Sequence, residues 1–225
     1  MNRNYHALCA MLLAFVLVLV MCSQFIKDNS AQADTEKLVY LTFDDGPSDR
    51  VTPQILDILK EEKVKATFFI VGSAAESRKY LLQREFSEGH TVAVHSYSHR
   101  YSQIYSSAEN LLADIDKCNE VIKSVTGSYS SMYRFPGGSF GLSKELIEAV
   151  QSHGMKYVDW NASVCDAEYY SAPHEILYAN AVETSKGRDT VILLAHDATT
   201  KTTTAKALKD IIKYFKSQNY KFATF

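Results

Sequence analysis

The chain has few cysteines and no excess of charge of either sign, and each shortage argues against a class of protein. Of four cysteines in 225 residues, only Cys118 and Cys165 lie beyond the apolar N-terminal segment. Two thiols do not make a disulfide framework, although they could pair in an oxidising compartment. The formal net charge is −2, which gives no electrostatic reason to expect nucleic-acid binding. The sequence also lacks internal repeats, low-complexity segments and long linkers.

The pattern of residues 1–33 is typical of an export segment. Residues 7–22 form a nearly unbroken apolar run, which is short for a membrane span of about 20 residues and slightly long for the apolar part of a signal peptide. Ala31-Gln32-Ala33 supplies a small-residue cleavage site. We therefore predict a secreted or cell-surface protein in which residues 1–33 are a signal peptide or an N-terminal membrane anchor. Residues 34–225 are long enough for one domain with a large core.

Strand and helix patterns alternate along residues 34–225. Short apolar runs predict strands and apolar residues at helical spacing predict helices. The predicted strands are 38–41, 66–71, 91–94, 131–135, 156–160, 190–195 and 221–224, and the predicted helices are 52–62, 75–88, 108–125, 143–153, 174–184 and 205–216. Such alternation indicates parallel strands joined by right-handed crossovers. About seven units of this kind favour an α/β barrel, with a doubly wound open sheet as the alternative.

Two adjacent carboxylates mark the end of the first predicted strand. The segment Thr42-Phe43-Asp44-Asp45-Gly46-Pro47 follows the apolar residues 38–41, and Gly46-Pro47 turns the chain. Strand ends carry the active-site groups of α/β folds. A bound metal would let the carboxylates divide the work, one as a ligand and the other as a free base. The alternative interpretation is a solvated Asp-Gly turn.

Two histidines four residues apart follow the predicted strand 91–94. His95 and His99 would share one face of a helical turn, where both could bind one metal ion. Together with Asp45 they offer two imidazoles and one carboxylate, a set that suits Zn, Fe, Co or Mn. The alternative is a pair of surface or capping histidines.

Other predicted strands are also followed by polar or aromatic candidates. Arg134 could hold a carboxylate by a bidentate contact, or form an ordinary surface salt bridge. Gly137 and its glycine neighbour would let backbone N–H groups approach a ligand closely. Trp160, the single tryptophan, could stack on a sugar ring or pack in the core, and Asp166 follows it. His196 is either a general acid, because an imidazole titrates near neutrality, or a structural histidine.

These residues occur in the order of the five motifs of the polysaccharide deacetylases, carbohydrate esterase family 4 or the NodB homology domain. The chain resembles this family over about residues 36–225. The motifs as they stand here are Thr42-Phe43-Asp44-Asp45-Gly46-Pro47, His95-x-x-x-His99, Arg134-x-Pro136, Trp160 to Asp166 and Leu194-x-His196. The first two are highly specific and the fourth is weak. The resemblance implies a distorted (β/α)7 barrel, which agrees with the number of predicted elements.

The resemblance also implies a base and a metal site. Asp44 would be the general base, and Arg134 would orient it. Asp45, His95 and His99 would hold one divalent metal ion, with zinc expected first and Co, Mn, Ni or Fe as alternatives.

On the substrate side, His196 would be the general acid, paired with Asp166, and Leu194 would line the pocket for the acetyl methyl group. The family often carries an aromatic residue after the proline of the third motif, whereas this chain has Gly137, whose N–H could still serve as an oxyanion donor. The fourth motif often ends in Asp-Trp, whereas here alanine follows Asp166. Trp160 is the remaining candidate for a sugar platform, at a different position.

The implied reaction removes acetyl groups from an N-acetylated polysaccharide and releases acetate and a free amino sugar. Peptidoglycan N-acetylglucosamine is the expected substrate, because the chain carries an export segment and no separate carbohydrate-binding module. Chitooligosaccharides and acetylated xylan are alternatives, since the same chemistry acts on either linkage. A non-catalytic glycan-binding module of the same fold is a hypothesis of a different class. The full set of catalytic residue types argues against it.

Overall fold

Parallel strands form one curled sheet in the computed structural model of the protein, which describes residues 36–168 and 172–225. The strands in these ranges are β1 (Leu38–Asp44), β2 (Thr67–Val71), β3 (Thr91–Ser96), β4 (Met132–Tyr133), β5 (Lys156–Tyr157), β6 (Ala162–Ser163), β7 (Thr190–His196) and β8 (Lys221–Ala223). Their order is β5-β4-β3-β2-β1-β7-β6, and β8 pairs with the first half of β1. The ends of this path, β5 and β6, are consecutive in the chain, so the strands follow a ring with one gap. The predicted distorted (β/α)7 barrel is thus confirmed.

Helices connect most of these strands. They are α1 (Thr52–Glu62), α2 (Gly72–Glu76), α3 (Lys79–Ser87), α4 (Tyr101–Ile104), α5 (Ala108–Thr126), α6 (Lys144–Ser152), α7 (His174–Ser185) and α8 (Thr202–Ser217). Their ends follow local rules: the Ser107 hydroxyl accepts from the Asn110 N–H at the start of α5, and Gly127, with a φ of 82°, ends it. Such a left-handed end is most easily adopted by glycine.

Two predicted elements differ clearly from the structure, and two short elements were not predicted. The helix predicted at 75–88 is two helices, α2 and α3, since the chain breaks at Arg78, whose backbone is not helical. The strand predicted at 156–160 ends at Tyr157, and a separate strand, β6, follows it unpredicted. The short helix α4 was not predicted either. The elements that were missed, α2, α4 and β6, have two to five residues, for which periodicity gives little signal.

Successive side chains of β1 point alternately to the two faces of the sheet. One face packs against the helices, and the other is the inner face of the curled sheet. Leu41 and Phe43 belong to a hydrophobic cluster that also contains residues of α1, α5 and α8. Thr42 and Asp44, at the intervening positions of β1, therefore point to the other face. His196 is the register partner of Asp44 on β7, so the two polar residues meet at the carboxyl ends of neighbouring strands.

The two cysteines of the described residues are free thiols. Cys118 is buried on α5, where burial raises the pKa of its thiol to about 12. Cys165 is partly exposed, in the turn that follows β6. The pairing considered from the sequence is therefore not formed.

Residues 1–33, predicted to be a signal peptide or an anchor, lie outside the described residues. Across residues 36–168 and 172–225, no helix combines the length and the apolar content needed to cross a membrane. The compact unit that contains the sheet spans Lys37–Phe225.

A carboxyl group on α3 is buried without a polar partner. Glu85 is fully buried, and neither of its carboxylate oxygens accepts a hydrogen bond from a described residue. Burial, with a smaller effect of the Asp197 charge, raises the pKa of Glu85 well above 4.5. The fold therefore favours the neutral acid over the carboxylate. Because the folded-state pKa is the higher one, the free energy of unfolding falls as the pH rises above the unfolded-state value.

We expect Glu85→Met to raise the free energy of unfolding, by roughly 1–3 kcal/mol at pH 8, because it removes an unsatisfied buried polar group. The gain should shrink toward pH 4.5, where the unfolded carboxyl is also partly protonated. Urea unfolding at both pH values measures this, with the exposed Glu183→Met as the matched control. Equal stability of Glu85→Met and the parent protein at pH 8 would contradict the prediction.

Candidate active site

Asp45, His95 and His99 converge at the carboxyl ends of β1 and β3. The Oδ1 atom of Asp45 lies 3.1 Å from His99 Nε2 and 3.5 Å from His95 Nε2. One donor atom from each residue lies within 4.8 Å of the other two. The structure thus brings together the three residues that the sequence analysis assigned to the metal.

The two histidines do not share a helical turn, and this part of the prediction is wrong. His95 lies within β3, whereas His99 lies in the turn that follows, with a φ of 55°. The Ser96 hydroxyl accepts a hydrogen bond from the His99 N–H at 2.8 Å. A strand followed by a tight turn therefore turns both imidazoles toward Asp45.

Asp114 of α5 shapes this turn, and the sequence analysis missed it. Its carboxylate accepts hydrogen bonds from the Ser96 hydroxyl at 2.5 Å, the Tyr97 N–H at 2.7 Å and the Ser98 N–H at 3.0 Å. A carboxylate in the middle of an amphipathic helix gives no sequence signal for such a role, since it resembles any solvated helix residue. Asp114 thus positions the turn that carries His99.

The donor atoms of the cluster fit a divalent metal ion. Asp45 Oδ1 is buried and has no hydrogen-bond partner among the described residues, a costly state that a cation would relieve. His95 Nδ1 lies 2.8 Å from the carbonyl oxygen of Arg134. A carbonyl only accepts, so Nδ1 carries the proton and Nε2 keeps its lone pair for a metal. Burial lowers the pKa of His95 to about 3, although Asp45 opposes this. Two imidazole nitrogens and one carboxylate oxygen suit zinc and related ions.

Asp44, beside the cluster, is held by a buried arginine. Arg134 Nη1 donates to Asp44 Oδ1 at 3.0 Å and to Thr42 Oγ1 at 2.7 Å. Nε and Nη2 donate to the carbonyl oxygens of Val158 and Asp159 at 3.0 and 3.2 Å. The contact with Asp44 is thus made by one nitrogen, not by the predicted bidentate pair, and Arg134 is fully buried rather than at the surface.

The second carboxylate oxygen of Asp44 faces the Asp45–His95–His99 cluster. Asp44 Oδ2 lies 3.9 Å from His95 Nε2. Burial raises the pKa of Asp44, and the Arg134 guanidinium partly opposes this. A divalent ion in the cluster would favour the anion further. Asp44 therefore keeps one carboxylate oxygen available to accept a proton.

His196 is bound to a buried carboxylate. Its Nδ1 lies 2.7 Å from Asp166 Oδ1, and Asp166 Oδ2 accepts hydrogen bonds from the His196 N–H at 2.9 Å and the Thr204 hydroxyl at 2.7 Å. Burial lowers the pKa of His196, but the hydrogen bond and charge of Asp166 outweigh it and raise the pKa to about 9. The sequence analysis placed Asp166 after the predicted strand that ends at Trp160. In the structure Asp166 instead follows the separate strand β6. The imidazolium is the stable form of His196 at neutral pH.

We expect Asp166→Asn to move the alkaline limb of kcat/KM to lower pH, by roughly two units, because His196 loses the charge that holds its proton. The sign follows from the raised pKa of His196, since an acid with a lower pKa loses its proton at a lower pH. The measurement is kcat/KM from pH 5 to 10, with the exposed Asp116→Asn as the matched control. An unchanged alkaline limb in Asp166→Asn would show that Asp166 does not stabilise the protonated form of His196 during catalysis.

The three residues assigned to the substrate lie around these groups. Leu194 is buried in β7, two residues before His196 and on the same face. Gly137 is exposed, with a φ of 80°. Trp160 is half-buried, and its ring centre lies 5.9 Å from the guanidinium carbon of Arg134.

Asp197 supports the turn that carries Asp45, and the sequence analysis gave it no role. Its N–H donates to the Asp44 carbonyl oxygen at 3.1 Å, and the Thr52 hydroxyl donates to its Oδ2 at 2.5 Å. A Cβ on Gly46 would lie 2.0 Å from the same Oδ2, so only glycine fits there. Burial raises the pKa of Asp197 to about 7. The signal in the sequence was its position directly after His196.

A curled parallel sheet with its polar residues at the carboxyl ends of the strands defines this protein as an α/β-barrel protein with an enzyme-like site. Comparison with known proteins identifies the family. The family described as polysaccharide deacetylase matches residues 31–158, more than half of the chain, and the chain belongs to that family.

Relatives and solved structures agree with this assignment. The chain is 35% identical over 197 residues to the peptidoglycan-N-acetylglucosamine deacetylase PgdA of Listeria monocytogenes serotype 1/2a, which covers 86% of this chain and 39% of that protein. It therefore spans about two fifths of the length of that relative. A Streptococcus mutans CE4 esterase superimposes with a TM-score of 0.79 and 33% identity, over 84% of this chain and 86% of the other. The catalytic domain of peptidoglycan N-acetylglucosamine deacetylase from Eubacterium rectale ATCC 33656 gives 0.78 and 34%, over 88% and 94%.

Proposed function

We propose that the protein is a metal-dependent hydrolase that removes acetyl groups from an N-acetylated polysaccharide, with peptidoglycan N-acetylglucosamine as its substrate. One observation carries the proposal. A carboxylate with a free oxygen, Asp44, and a histidine held as imidazolium, His196, end neighbouring strands beside the Asp45–His95–His99 cluster. A base and an acid of this kind are what amide hydrolysis requires.

The base acts on the attacking water. A divalent ion held by Asp45, His95 and His99 would supply Lewis-acid polarisation of the acetyl carbonyl and of that water. Asp44 accepts the proton of the water at Oδ2, the oxygen that Arg134 leaves unbonded. Arg134 holds the other oxygen, so the base keeps one orientation during the proton transfer.

The acid acts on the leaving group. His196 gives its Nε2 proton to the departing nitrogen, while Nδ1 stays bonded to Asp166. The N–H of Gly137 donates to the developing oxyanion, a contact of a kind that is worth roughly 3 kcal/mol. Leu194, on the inner face of β7, packs against the acetyl methyl group. The products are acetate and a free amino sugar.

The choice of peptidoglycan rests on two supports. The Listeria relative and the Eubacterium structure are both named as peptidoglycan N-acetylglucosamine deacetylases. The apolar run of residues 7–22 is typical of a chain that is exported from the cytoplasm. Peptidoglycan lies outside the cytoplasm, so an exported enzyme can reach it. Chitooligosaccharides and acetylated xylan are the competing substrates.

Acetate release from purified peptidoglycan, N-acetylglucosamine oligomers and acetylated xylan tests the proposal. We expect release from peptidoglycan, loss of release after chelation and recovery when zinc is added back. Release from xylan alone would overturn the substrate assignment. Binding of peptidoglycan by the metal-loaded protein without any release would show a non-catalytic glycan-binding module instead.

We further propose that the protein is exported and either secreted or anchored at the cell surface. N-terminal sequencing of the protein from its native cell should give Asp34, or the intact N-terminus together with membrane association. A full-length chain in the cytoplasm would contradict both forms of the proposal.

A further inference from the structure

Two exposed aromatic rings stand on either side of the Gly137–Gly138 turn, and one of them, Tyr101, contacts His99. We propose that Tyr101 and Phe140 form the walls of the cleft that holds the sugar ring carrying the acetyl group. This assignment rests on the proposed deacetylase function and adds two substrate-binding residues that no motif of the sequence contains.

Tyr101 occupies the space that a side chain at position 137 would take. A Cβ built on Gly137 would lie 3.0 Å from Tyr101 Cε1 and 3.2 Å from its hydroxyl oxygen. The ring meets His99 edge to face at 5.3 Å, so this wall borders the metal cluster. Tyr105 supports it from behind at 5.9 Å, and the Tyr105 hydroxyl donates to the Pro136 carbonyl oxygen at 2.7 Å. The family often has an aromatic residue directly after Pro136. Here an aromatic ring reaches that position from α4, a different part of the chain.

Phe140 lies on the other side of the turn. A Cβ built on Gly138 would lie 2.9 Å from Phe140 Cδ2 and 3.0 Å from Trp160 Cη2. Phe140 and Trp160 meet edge to face at 5.9 Å. The Asp159 carboxylate accepts hydrogen bonds from the N–H and the hydroxyl of Ser139, the N–H at 2.9 Å. The turn that carries Phe140 is thus tied to the residue beside Trp160.

The exposure of both rings indicates a ligand rather than a core. Phe140 is 69% exposed and Tyr101 48% exposed, although each is supported by another aromatic ring. Large exposed apolar groups beside a site mark ligand-binding surfaces. The apolar face of a pyranose ring suits such walls, and the Tyr101 hydroxyl and the Gly137 N–H offer two donors to its acetyl oxygen or hydroxyls. Glycine at 137 and 138 lets the two rings pack directly against the backbone of the turn.

The test uses the metal-loaded protein and the hexamer of N-acetylglucosamine. We expect Tyr101→Ala and Phe140→Ala each to raise KM about tenfold, the equivalent of 1.4 kcal/mol. Tyr80→Ala and Phe86→Ala are the matched controls. Both lie on α3 and are 63% and 45% exposed, and both should stay within about twofold of the parent protein. Tyr101→Phe keeps the ring, so it should keep KM and lower kcat only through the lost hydroxyl.

Binding is measured separately from turnover in an Asp44→Asn background. Trp160 is the single tryptophan and contacts Phe140, so its fluorescence reports the hexamer directly. Tyr101→Ala should weaken that binding about tenfold, as it raises KM. The same binding constant in Tyr101→Ala, Phe140→Ala and the controls would overturn the inference. The proposed function would still stand if the parent protein releases acetate. Hexamer binding that depends on both rings, in a protein whose parent releases no acetate from peptidoglycan, would overturn the function and keep the cleft. No binding of the hexamer and no acetate release from peptidoglycan would overturn both.

Discussion

Asp44→Asn is expected to lower kcat by about 10³-fold while the metal stays bound, since a positioned general base contributes 10²- to 10⁴-fold. Asparagine has nearly the same shape as aspartate and still offers Oδ1 to Arg134, so the fold should be kept. What is lost is the negative charge and the proton acceptor at Oδ2. Asp45, His95 and His99 are unchanged, and the metal content should therefore stay near one ion per chain.

Acetate release and elemental analysis of the same preparation measure the two effects together. Asp57→Asn, an exposed change from carboxylate to amide on α1, is the matched control and should leave both unchanged. Loss of the metal along with the activity would show that Asp44 is a ligand rather than the base. Activity close to that of the parent protein would remove Asp44 from the mechanism.

His95→Ala and His99→Ala are expected to lower the metal affinity by more than about 100-fold, because even the loss of a group that only orients a ligand costs 10- to 100-fold. The two variants differ usefully in burial. His95 is buried, so its replacement also leaves a cavity, whereas His99 is partly exposed and its loss should affect stability less. Turnover should fall with metal occupancy in both.

Elemental analysis after dialysis against a defined zinc concentration measures the occupancy. His153→Ala is the control, since this histidine lies on α6's C-terminal side, paired with Asp116 and away from the cluster. Full occupancy in His99→Ala, with a thermal unfolding curve like that of the parent protein, would rule out His99 as a ligand.

Much of the site could be predicted because its chemistry lies at the ends of strands. Asp44, Asp45, His95 and His196 each follow or end an apolar run, and parallel strands bring such ends to one edge of the sheet. The order of strands and helices favoured a barrel over a doubly wound open sheet, and the family resemblance then implied the distorted (β/α)7 barrel. The motif residues could therefore be placed together before any distance was known.

The parts that could not be predicted depend on contacts between distant segments. The histidine spacing was interpreted as helical, although a strand and a turn with a left-handed residue give the same convergence. That turn is determined by Asp114, which no local pattern distinguishes. The space beside Gly137 is filled by Tyr101 of α4, and Gly46 is required by Asp197, which directly follows β7. Such constraints exist only once the chain is folded.

Asp45 directly follows β1, and the two histidines belong to β3 and the turn after it. The strand β2 lies between β1 and β3 in the sheet. An ion shared by the three residues would therefore act as a cross-link over the intervening strand. It would bind the folded chain and not the unfolded one, so the melting temperature should rise with the concentration of free metal and fall in a chelator. A resting protein stripped of its ion would be easier to unfold, and a protease could then remove it before it reached its substrate.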